Sequence, residues 1–313
     1  MIGKDLNKAA EMLRTGNLVA IPTETVYGLA ANALDPFAVS QIFAAKQRPE
    51  FNPLILHLAA TDNPENYAET MTDSAIKLTK EFWPGPLSIL LNKKKVVPDL
   101  VTGGLDSVVL RKPSHPLTQS LLEKLDFPLA APSANKFQGI SPTLPQHVQD
   151  SLGSKVSYIL DGGASTIGLE STIVDCRTEP STLLRYGGIS LEEIEACVGE
   201  VQVQIKENSN PLAPGQMDKH YATSKPLFLV EDLEQAMLLY PKSSMSAISW
   251  NQKVDADFYY TLSSKQDLIE AAANLYGCMH DADSDASDLI LVQKVPNKGL
   301  GLAINDRLKR ASS

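Results

Sequence analysis

Short apolar runs of strand length alternate with helical patterns along most of this chain, and this alternation constrains the fold more than any other feature. Strands are predicted at 18–21, 54–58, 87–91, 107–111, 128–132, 156–160 and 171–175. Helical patterns lie at 5–16, 73–82, 117–125 and 145–152, and another helix begins at Asp35. Such alternation is typical of α/β proteins. Because some strands are uniformly apolar and others alternate with polar residues, we expect a mixed open sheet.

The alternation stops at residues 206–224, where prolines, asparagines and a glycine replace the apolar periodicity. It resumes in residues 225–313 and predicts a second, smaller α/β domain with a parallel, Rossmann-like sheet. A chain of 313 residues has room for two domains of about 150 residues each. We therefore predict domains at 1–205 and 225–313, joined by a linker at 206–224.

Composition and charge exclude several classes of protein. The net charge is −9, and residues 1–205 hold 17 basic and 23 acidic residues, so a dedicated nucleic-acid binder is not expected. Cys176, Cys197 and Cys278 are too far apart for a zinc finger or a disulfide framework. No apolar run approaches the roughly 18 residues of a membrane span, and the first residues lack the apolar core of a signal peptide. We expect a cytoplasmic protein that does not enter a membrane.

Familiar nucleotide and metal motifs are missing from the sequence. It contains no GxxxxGK[ST] phosphate loop. GLGLAIND at 299–306 lacks the third glycine of a dinucleotide-binding turn and instead predicts the start of a helix. Because His, Asp and Glu are not spaced as metal ligands, we predict no metal site made of protein side chains.

Polar residues instead follow the predicted strands of the first domain in six clusters. They are PTETVYG at 22–28, KQRPEFNPLILH at 46–57, RKPSH at 111–115, APSANKFQGISPT at 131–143, GLESTIVD at 168–175, and Arg185. Taken singly, such residues are usually turn or capping residues, and Lys46 and Arg48 suit the C-terminal end of a helix. Together they bring four cations and several hydroxyl groups to the strand ends of one open sheet, where ligands bind. The combination predicts a crevice for a polyphosphate or another anion.

These clusters, in this order, resemble the Sua5/YrdC/YciO family in its two-domain form. The similarity also covers WPGPLSILL at 83–91, LLRYGG at 183–188, the linker motif APGQMDKHYA at 213–222 and the C-terminal signature GLGLAINDRLKRA at 299–311. The family signature KxR…SxN corresponds to Lys46, Arg48, Ser133 and Asn135. Ser88 stands where the family usually has threonine, and Thr223 stands where the linker usually has proline.

The resemblance implies a fold and an activity. The fold is a YrdC-like twisted mixed open sheet with a concave active-site crevice, followed by the smaller C-terminal domain. The activity is that of an L-threonylcarbamoyladenylate synthase, a nucleotidyltransferase that converts L-threonine, bicarbonate or CO2, and ATP to threonylcarbamoyl-AMP and diphosphate. A separate tRNA threonylcarbamoyltransferase would use the product to modify adenosine 37 (t6A), and Mg²⁺ would enter with ATP.

The resemblance also implies roles for single residues. Threonine would be held by Thr25, His57, Arg111, Ala131 and Ser171. ATP would be held by Lys46, Arg48, Asn52, Ser107, Ser133, Ser141, Arg185 and Tyr221, with Lys46, Arg48 and Asn135 as the catalytic group at the phosphates. We expect Arg48 to be an exposed loop residue that matters little for stability. Because Tyr221 lies in the linker, we predict that the linker closes over the nucleotide as a lid, with a passive tether as the alternative.

Two other functions are open at this point. The first is an RNA-binding module of the same fold without synthase activity, which would place double-stranded RNA or tRNA on a basic concave surface. The acidic balance of residues 1–205 argues against RNA as the main ligand, and the only dense basic run, Lys93 to Lys95, leaves room for a weak tRNA contact. The second is a carbamoyltransferase of the hydrogenase-maturation type, which needs zinc fingers that three separated cysteines cannot form.

Overall fold

The computed structural model describes residues 1–205, 212–214, 220–240 and 243–312. Within these residues the chain forms fifteen strands. They are β1 Ile2–Gly3, β2 Val19–Ile21, β3 Gly28–Asn32, β4 Ile55–His57, β5 Leu87–Asn92, β6 Ser107–Arg111, β7 Leu129–Ala130, β8 Tyr158–Leu160, β9 Thr172–Asp175, β10 Thr182–Arg185, β11 Gln202–Val203, β12 Leu227–Val230, β13 Met245–Ser249, β14 Phe258–Thr261 and β15 Leu289–Gln293.

The same residues form ten α-helices and two short 3₁₀ turns. The helices are α1 Leu6–Arg14, α2 Pro36–Lys46, α3 Asp73–Phe82, α4 Asp99–Thr102, α5 Pro116–Leu122, α6 Pro145–Leu152, α7 Leu191–Val198, α8 Leu233–Met237, α9 Leu268–Ser284 and α10 Leu300–Ala311. The 3₁₀ turns are Pro64–Asn66 and Gly153–Lys155.

Two separate sheets organise these elements. The larger has eleven strands in the order β1-β8-β2-β3-β7-β4-β6-β5-β9-β10-β11. It combines parallel pairs such as β4 with β6 and antiparallel pairs such as β5 with β6, which confirms the predicted mixed sheet. The smaller sheet has the order β12-β15-β13-β14 and is parallel throughout, as predicted for the second domain.

The two faces of the large sheet differ because successive side chains of a strand point to opposite sides. On β4 and β6, Leu56 and Leu110 belong to the main hydrophobic core. Ile55 and Val109 are paired in register and belong to a smaller apolar cluster on the other face, where Ala213 of the linker joins them. That second face forms the floor of a crevice.

Capping residues stabilise the N-termini of several helices. Asp35 caps α2 by accepting a hydrogen bond from the Phe37 N–H, and Pro36 occupies the first turn, as the sequence predicted. Ser190 and Glu193 form a reciprocal capping box at the start of α7. These caps satisfy N–H groups that have no partner inside the helix.

The second domain packs directly on the first. One hydrophobic cluster combines Val26 and Leu169 of the first domain with Tyr276 of α9 and Ile304 of α10. Gly168 has a φ of +72°, and a Cβ there would lie 2.6 Å from the Ala272 carbonyl oxygen of α9. Glycine is therefore required at 168 both for the backbone conformation and for the close approach of α9.

Most predicted elements are present, with a few differences. Helix α3 occupies its predicted residues 73–82. Helix α9 runs through Gly277 to Ser284, because tertiary packing outweighs the low helix propensity of glycine. Strand β3 was not predicted, since its sequence GLAAN lacks the branched residues typical of strands.

The domain limits stay a prediction. Much of the linker, 206–211 and 215–219, lies outside the described residues. No helix in the described part of the chain combines the length and apolar character that spanning a membrane requires.

Candidate active site

A cavity occupies the crevice over the second face of the large sheet. Nine of the fourteen residues singled out from the sequence line it: Thr25, Arg48, His57, Arg111, Ala131, Ser133, Ser171, Arg185 and Tyr221. The other five are buried but do not line it: Lys46, Asn52, Ser107, Asn135 and Ser141. The fold thus gathers residues from six separate clusters of the sequence into one site.

One side of the cavity is built around Arg111 at the end of β6, in register with His57 of β4. The Arg111 guanidinium donates from Nη2 to Glu24 Oε1 at 2.7 Å and from Nε to the Gly85 carbonyl at 3.4 Å. Glu24 also accepts the Ser114 N–H at 3.0 Å. These bonds fix the guanidinium and use only some of its five donors, so it can still bind a carboxylate in the cavity.

His57 is a neutral imidazole with a defined tautomer. Burial, assisted by the charge of Arg111, lowers the pKa of His57 to about 3. Its Nδ1 lies 3.2 Å from the Ile55 carbonyl oxygen. Because a carbonyl only accepts, Nδ1 carries the proton and Nε2 is left as an acceptor.

Hydroxyl groups beside His57 are similarly oriented. The Thr23 hydroxyl donates to the Val26 carbonyl at 2.6 Å, so the Thr25 hydroxyl, 2.7 Å from Thr23 Oγ1, must donate to Thr23. Thr25 Oγ1 therefore presents a lone pair, as does the imidazole. Ser171 lies opposite, with its hydroxyl 2.7 Å from that of Ser88, so the serine in place of the usual threonine keeps this contact. Two acceptors beside a guanidinium suit a ligand with an amine, a hydroxyl and a carboxylate.

The other side of the cavity is built around Arg48 and Arg185. Arg48 donates from Nη2 to Asn52 Oδ1 at 2.6 Å and to the Pro53 carbonyl at 2.9 Å. It is 7% exposed, so the expectation of an exposed loop arginine was wrong: the Asn-Pro turn folds back over the guanidinium. Arg185 donates to the Ser171 carbonyl at 2.8 and 3.0 Å.

The cations on this side form no ion pair with a carboxylate among the described residues. Burial, followed by repulsion from neighbouring cations, lowers the pKa of Arg48 to about 9 and that of Lys46 well below its ordinary value. Burial also lowers the pKa of Arg185 to about 10, although Glu170 opposes the effect. The partners of these three cations are carbonyl and amide oxygens, so the cavity keeps a positive potential.

Lys46 and Asn135 shape the adjoining loop rather than the cavity wall. Lys46 Nζ, at the end of α2, donates to the carbonyls of Ser133 and Asn135. The Asn135 amide donates to the carbonyls of Lys136 and Gly139 at 2.9 and 2.8 Å. The signature KxR…SxN thus acts in part as a clamp between α2 and this loop.

Ser107 and Ser141 are also set back from the cavity. Ser107 begins β6, opposite Asn92 and four residues from Arg111. Ser141 is fully buried, and its hydroxyl donates to Glu170 Oε1 at 2.7 Å. The predicted ATP contacts of both residues stay predictions.

The described part of the linker covers the cavity. Pro214 accepts a hydrogen bond from Arg185 Nη1 at 2.9 Å, and Pro214, His220 and Tyr221 all line the cavity. Tyr221 is 1% exposed and stacks on Tyr276 at 5.5 Å between ring centroids. The φ of Tyr221 is +64°, which is strained for a residue with a side chain and is held by these contacts.

Sequence reasoning missed the carboxylates of the site and its contacts from the second domain. Glu24 and Glu170 lie within the quoted motifs PTETVYG and GLESTIVD, where only the hydroxyl residues were assigned. Tyr276 and Arg307 donate to Glu170 at 2.9 and 3.0 Å. The spacing in sequence, more than a hundred residues, gives no signal of these contacts.

Comparisons with known proteins agree over almost the whole chain. The Sua5/YciO/YrdC family model, described as "Telomere recombination", matches residues 11–187, and the model "Threonylcarbamoyl-AMP synthase, C-terminal domain" matches residues 189–313. A threonylcarbamoyl-AMP synthase of Pyrococcus abyssi is 41% identical over 97% of this chain and 93% of that protein. A threonylcarbamoyl-AMP synthase of Bacillus subtilis is 37% identical over 97% and 92%.

Structural similarity extends to both domains. The crystal structure of P. abyssi Sua5 complexed with L-threonine is 40% identical and superimposes with a TM-score of 0.94 over 100% of this chain and 97% of that one. The predicted resemblance is therefore confirmed. With a mixed sheet that carries the cation-lined crevice and a parallel sheet packed against it, the chain belongs to the Sua5/YrdC/YciO family in its two-domain Sua5 form.

Proposed function

We propose that this protein is an L-threonylcarbamoyladenylate synthase, a nucleotidyltransferase that converts L-threonine, bicarbonate or CO2, and ATP to threonylcarbamoyl-AMP and diphosphate. The observation that carries the proposal is one cavity with an arginine suited to a carboxylate beside two acceptors on one side and buried cations without ion pairs to described carboxylates on the other. Such a cavity accommodates an amino acid and a polyphosphate next to each other. The similar proteins of P. abyssi and B. subtilis are threonylcarbamoyl-AMP synthases, which supports this function.

Threonine binds on the Arg111 side in this proposal. Its carboxylate pairs with the guanidinium, which Glu24 holds in place. Its ammonium and hydroxyl groups donate to His57 Nε2 and Thr25 Oγ1, with the backbone at Ala131 and the Ser171 hydroxyl completing the subsite. Carbamate formation needs the free amine, and the positive charge of the nearby Arg111 guanidinium favours the neutral amine over the ammonium.

ATP binds on the Arg48 side, close to Arg185, Ser133 and Asn52. The residues set back from the cavity wall support this side: Lys46, Ser107, Asn135 and Ser141. The carbamate oxygen attacks the α-phosphorus, a carbamate O–P bond forms, and the bond from the α-phosphorus to the bridging oxygen breaks as diphosphate leaves. Charge accumulates on phosphate oxygens in this step. Preorganised cations in a water-poor cavity stabilise that charge, so positioning and electrostatics account for catalysis without a protein nucleophile.

The donor set also fits Mg²⁺ that arrives with ATP. Among the described residues no cluster of His, Cys, Asp and Glu could hold a metal ion, and the cavity groups are mainly cations and hydroxyls. Such groups bind phosphate oxygens, so Mg²⁺ would be held by the phosphates and water. When bound, it neutralises phosphate charge.

We further propose that the linker is a lid. Carbamates and acyl-adenylates hydrolyse in water, so a segment that excludes solvent would protect them, and Pro214, His220 and Tyr221 of the linker line the cavity. The strained backbone of Tyr221 supports a segment that has a second, relaxed arrangement. Tyr221→Ala should lower product formation and raise ATP hydrolysis without threonine, whereas Tyr221→Phe, which keeps the ring stack, should retain native behaviour. A chain cut between Ile205 and Pro226 that stays as active as the intact protein would show a passive tether.

The product has to leave for a second enzyme. We propose that a separate cytoplasmic tRNA threonylcarbamoyltransferase uses the product to make t6A. Any direct contact between this chain and tRNA is weak in this proposal. Part of the one dense basic run is already engaged, since Lys93 pairs with Asp99 and Lys94 donates to the Glu65 carbonyl. The free cysteines agree with a reducing compartment.

Diphosphate release tests the function. The protein is mixed with ATP, Mg²⁺ and bicarbonate, and diphosphate is measured with and without L-threonine, with L-serine and L-valine as matched controls. We expect threonine-dependent release and a product with the mass of threonylcarbamoyl-AMP. Folded protein that releases no diphosphate with threonine would refute the synthase, and submicromolar, salt-sensitive tRNA binding would then favour the RNA-binding module.

A further inference from the structure

The Glu170 carboxylate lies where the cavity, the first domain and the second domain meet. It is 7% exposed and lines the cavity. Tyr276 of α9 donates to it at 2.9 Å and Arg307 of α10 at 3.0 Å, both from the second domain. Ser141 of the first domain donates to it at 2.7 Å. One carboxylate therefore joins both domains at the wall of the cavity.

The second domain holds this carboxylate rigidly. Arg307 is 0% exposed, and its other donors reach the Tyr186 carbonyl at 2.6 Å and Asp306 at 2.8 Å. Its guanidinium also lies 5.6 Å from the centre of the Tyr221 ring. A guanidinium with this many fixed partners has one geometry, so the carboxylate it holds has one position.

Residues of the nucleotide side depend on that position. Ser141 follows the loop that Asn135 closes onto Gly139, and its hydroxyl proton is committed to Glu170. Ser171, which follows Glu170 in the chain, provides the carbonyl oxygen that orients the Arg185 guanidinium. A shift of Glu170 would move the loop on one side and the arginine on the other.

We propose that Glu170 is a positioning residue for the nucleotide side of the cavity, and that the second domain acts on the site by holding Glu170 through Arg307 and Tyr276. The identity of the ligand as ATP rests on the proposed function, whereas the positioning does not. The second domain is thus part of the site's support, and the first domain alone has an incompletely built cavity.

The test uses the full-length chain and two readouts. Glu170→Gln keeps the size of the side chain and removes its charge, and Glu170→Gln/Arg307→Gln also removes the charge that would be left unpaired. Asp285→Asn is the matched control, because Asp285 pairs with Lys225 inside the second domain, away from Glu170. Amide hydrogen exchange of residues 136–141 reports positioning, and the KM values for ATP and threonine report function.

We expect Glu170→Gln to speed exchange of 136–141 by about 10-fold, as expected for loss of a charged hydrogen bond. The KM for ATP should rise by about 10-fold while that for threonine stays within about twofold. The double variant should regain thermal stability, because it buries no unpaired charge, but should keep the raised KM for ATP. The Asp285→Asn control should lose stability without a change in either KM.

Two results would overturn the positioning role. One is exchange at 136–141 in Glu170→Gln equal to that of the control. The other is a double variant that regains the native KM for ATP, which would reduce Glu170 to an ion pair that only holds the domains together. If the native chain makes no threonine-dependent diphosphate, the proposed function fails, and the exchange measurement alone decides the positioning.

Discussion

The cavity and the domain interface beside it both bury arginine side chains, but they neutralise them differently. In the cavity, Arg48 is 7% exposed and Arg185 is 5% exposed, and both donate to neutral oxygens. In the interface, Arg307 is 0% exposed and donates to the carboxylates of Glu170 and Asp306. Burial lowers the pKa of Arg48 and Arg185, whereas around Arg307 the neighbouring groups outweigh burial and raise its pKa.

Folding supplies Arg307 with carboxylate counter-charges, whereas it supplies Arg48 and Arg185 with neutral hydrogen-bond acceptors. Carbonyl oxygens satisfy the N–H groups of a guanidinium, but they do not cancel its charge. An anionic ligand does cancel it, so the cavity cations are stabilised by binding. In the interface, the counter-charge belongs to the protein itself. We expect the missing ion pair, more than burial, to distinguish Arg48 and Arg185 as candidates for binding the anionic part of a ligand.

The largest effect is expected in the interface. Arg307→Met should lower the free energy of unfolding by about 3–5 kcal/mol, because it leaves Glu170 as a buried, unpaired charge. Denaturant unfolding followed by circular dichroism measures this loss. Glu170→Gln/Arg307→Met should be more stable than Arg307→Met alone, since it removes the orphaned charge. If the free energy of unfolding of Arg307→Met lies within about 1 kcal/mol of the native value, Glu170 does not need Arg307 as its counter-charge, and the difference between interface and cavity fails.

Arg48→Ala tests the cavity with the opposite expectation. Turnover should fall by about 10²–10³-fold, as for loss of a preorganised donor at a developing charge, while stability changes less than in Arg307→Met. The lost bonds to Asn52 and Pro53 are partly offset, because an uncompensated buried charge is removed as well.

A matched control for this prediction is Arg177→Ala. Arg177 pairs with Asp175 at 2.7 Å outside the cavity lining, with 29% of its side chain exposed. It should keep native turnover and stability in the same diphosphate assay. An Arg48→Ala protein that releases diphosphate at nearly the native rate would remove the evidence that unpaired cations mark the ligand site.

Arg111→Ala sharpens the comparison within the cavity, because Arg111 is the cavity arginine that has a carboxylate partner, Glu24. We expect the KM for threonine to rise by about 10–100-fold and the KM for ATP to change little, since one charged hydrogen-bonded contact to the substrate is lost. Steady-state kinetics with each substrate varied in turn measures the split. Equal increases in both KM values would assign Arg111 to the nucleotide.

Acid should weaken the interface through a histidine pair, while the buried His57 and His220, whose pKa values burial also lowers, contribute over the same pH range at the cavity. His147 of α6 and His280 of α9 stack across the interface at 3.8 Å between ring centroids. Burial, followed by the neighbouring His280, lowers the pKa of His147 to about 4, and burial also lowers that of His280, against the opposing charges of Asp150, Asp281 and Asp283. Since the unfolded chain protonates both near pH 6.5, it takes up more protons than the folded chain as pH falls.

The free energy of unfolding should therefore decrease by about 2 kcal/mol or more between pH 7 and pH 5 through this pair. Tm measured at both pH values reports the change, and His147→Gln/His280→Gln should show a smaller drop than native. Burial raises the pKa of Glu170, but the charges of Arg307 and Arg185 and the Ser141 hydrogen bond outweigh it and lower the pKa to about 2. Protonation of Glu170 therefore lowers the free energy of unfolding further only below about pH 4.5. An identical drop in native and variant would exclude the histidine pair as the cause.

The sequence predicted the α/β class, the mixed and parallel sheets, the N-terminal cap of α2 and the clusters that line the cavity. It succeeded where the signal is local, as at Asp35 and Pro36, which begin α2. It failed at β3, because GLAAN has no strand signal of its own and pairs only through β2 and β7. It also misjudged the environment of Arg48, because burial there depends on a turn that folds back from Asn52.

What the sequence determined by itself is the kind of residue present at each strand end: cations, hydroxyls and small residues in a fixed order. Only the tertiary structure decided which of these charges are neutralised. Tyr276 and Arg307 reach Glu170 from the second domain, and Glu24 reaches Arg111 from another loop. The physical reason is that the pairing of a buried charge depends on distances of a few ångströms between residues far apart in the chain, and local patterns carry no information about those distances.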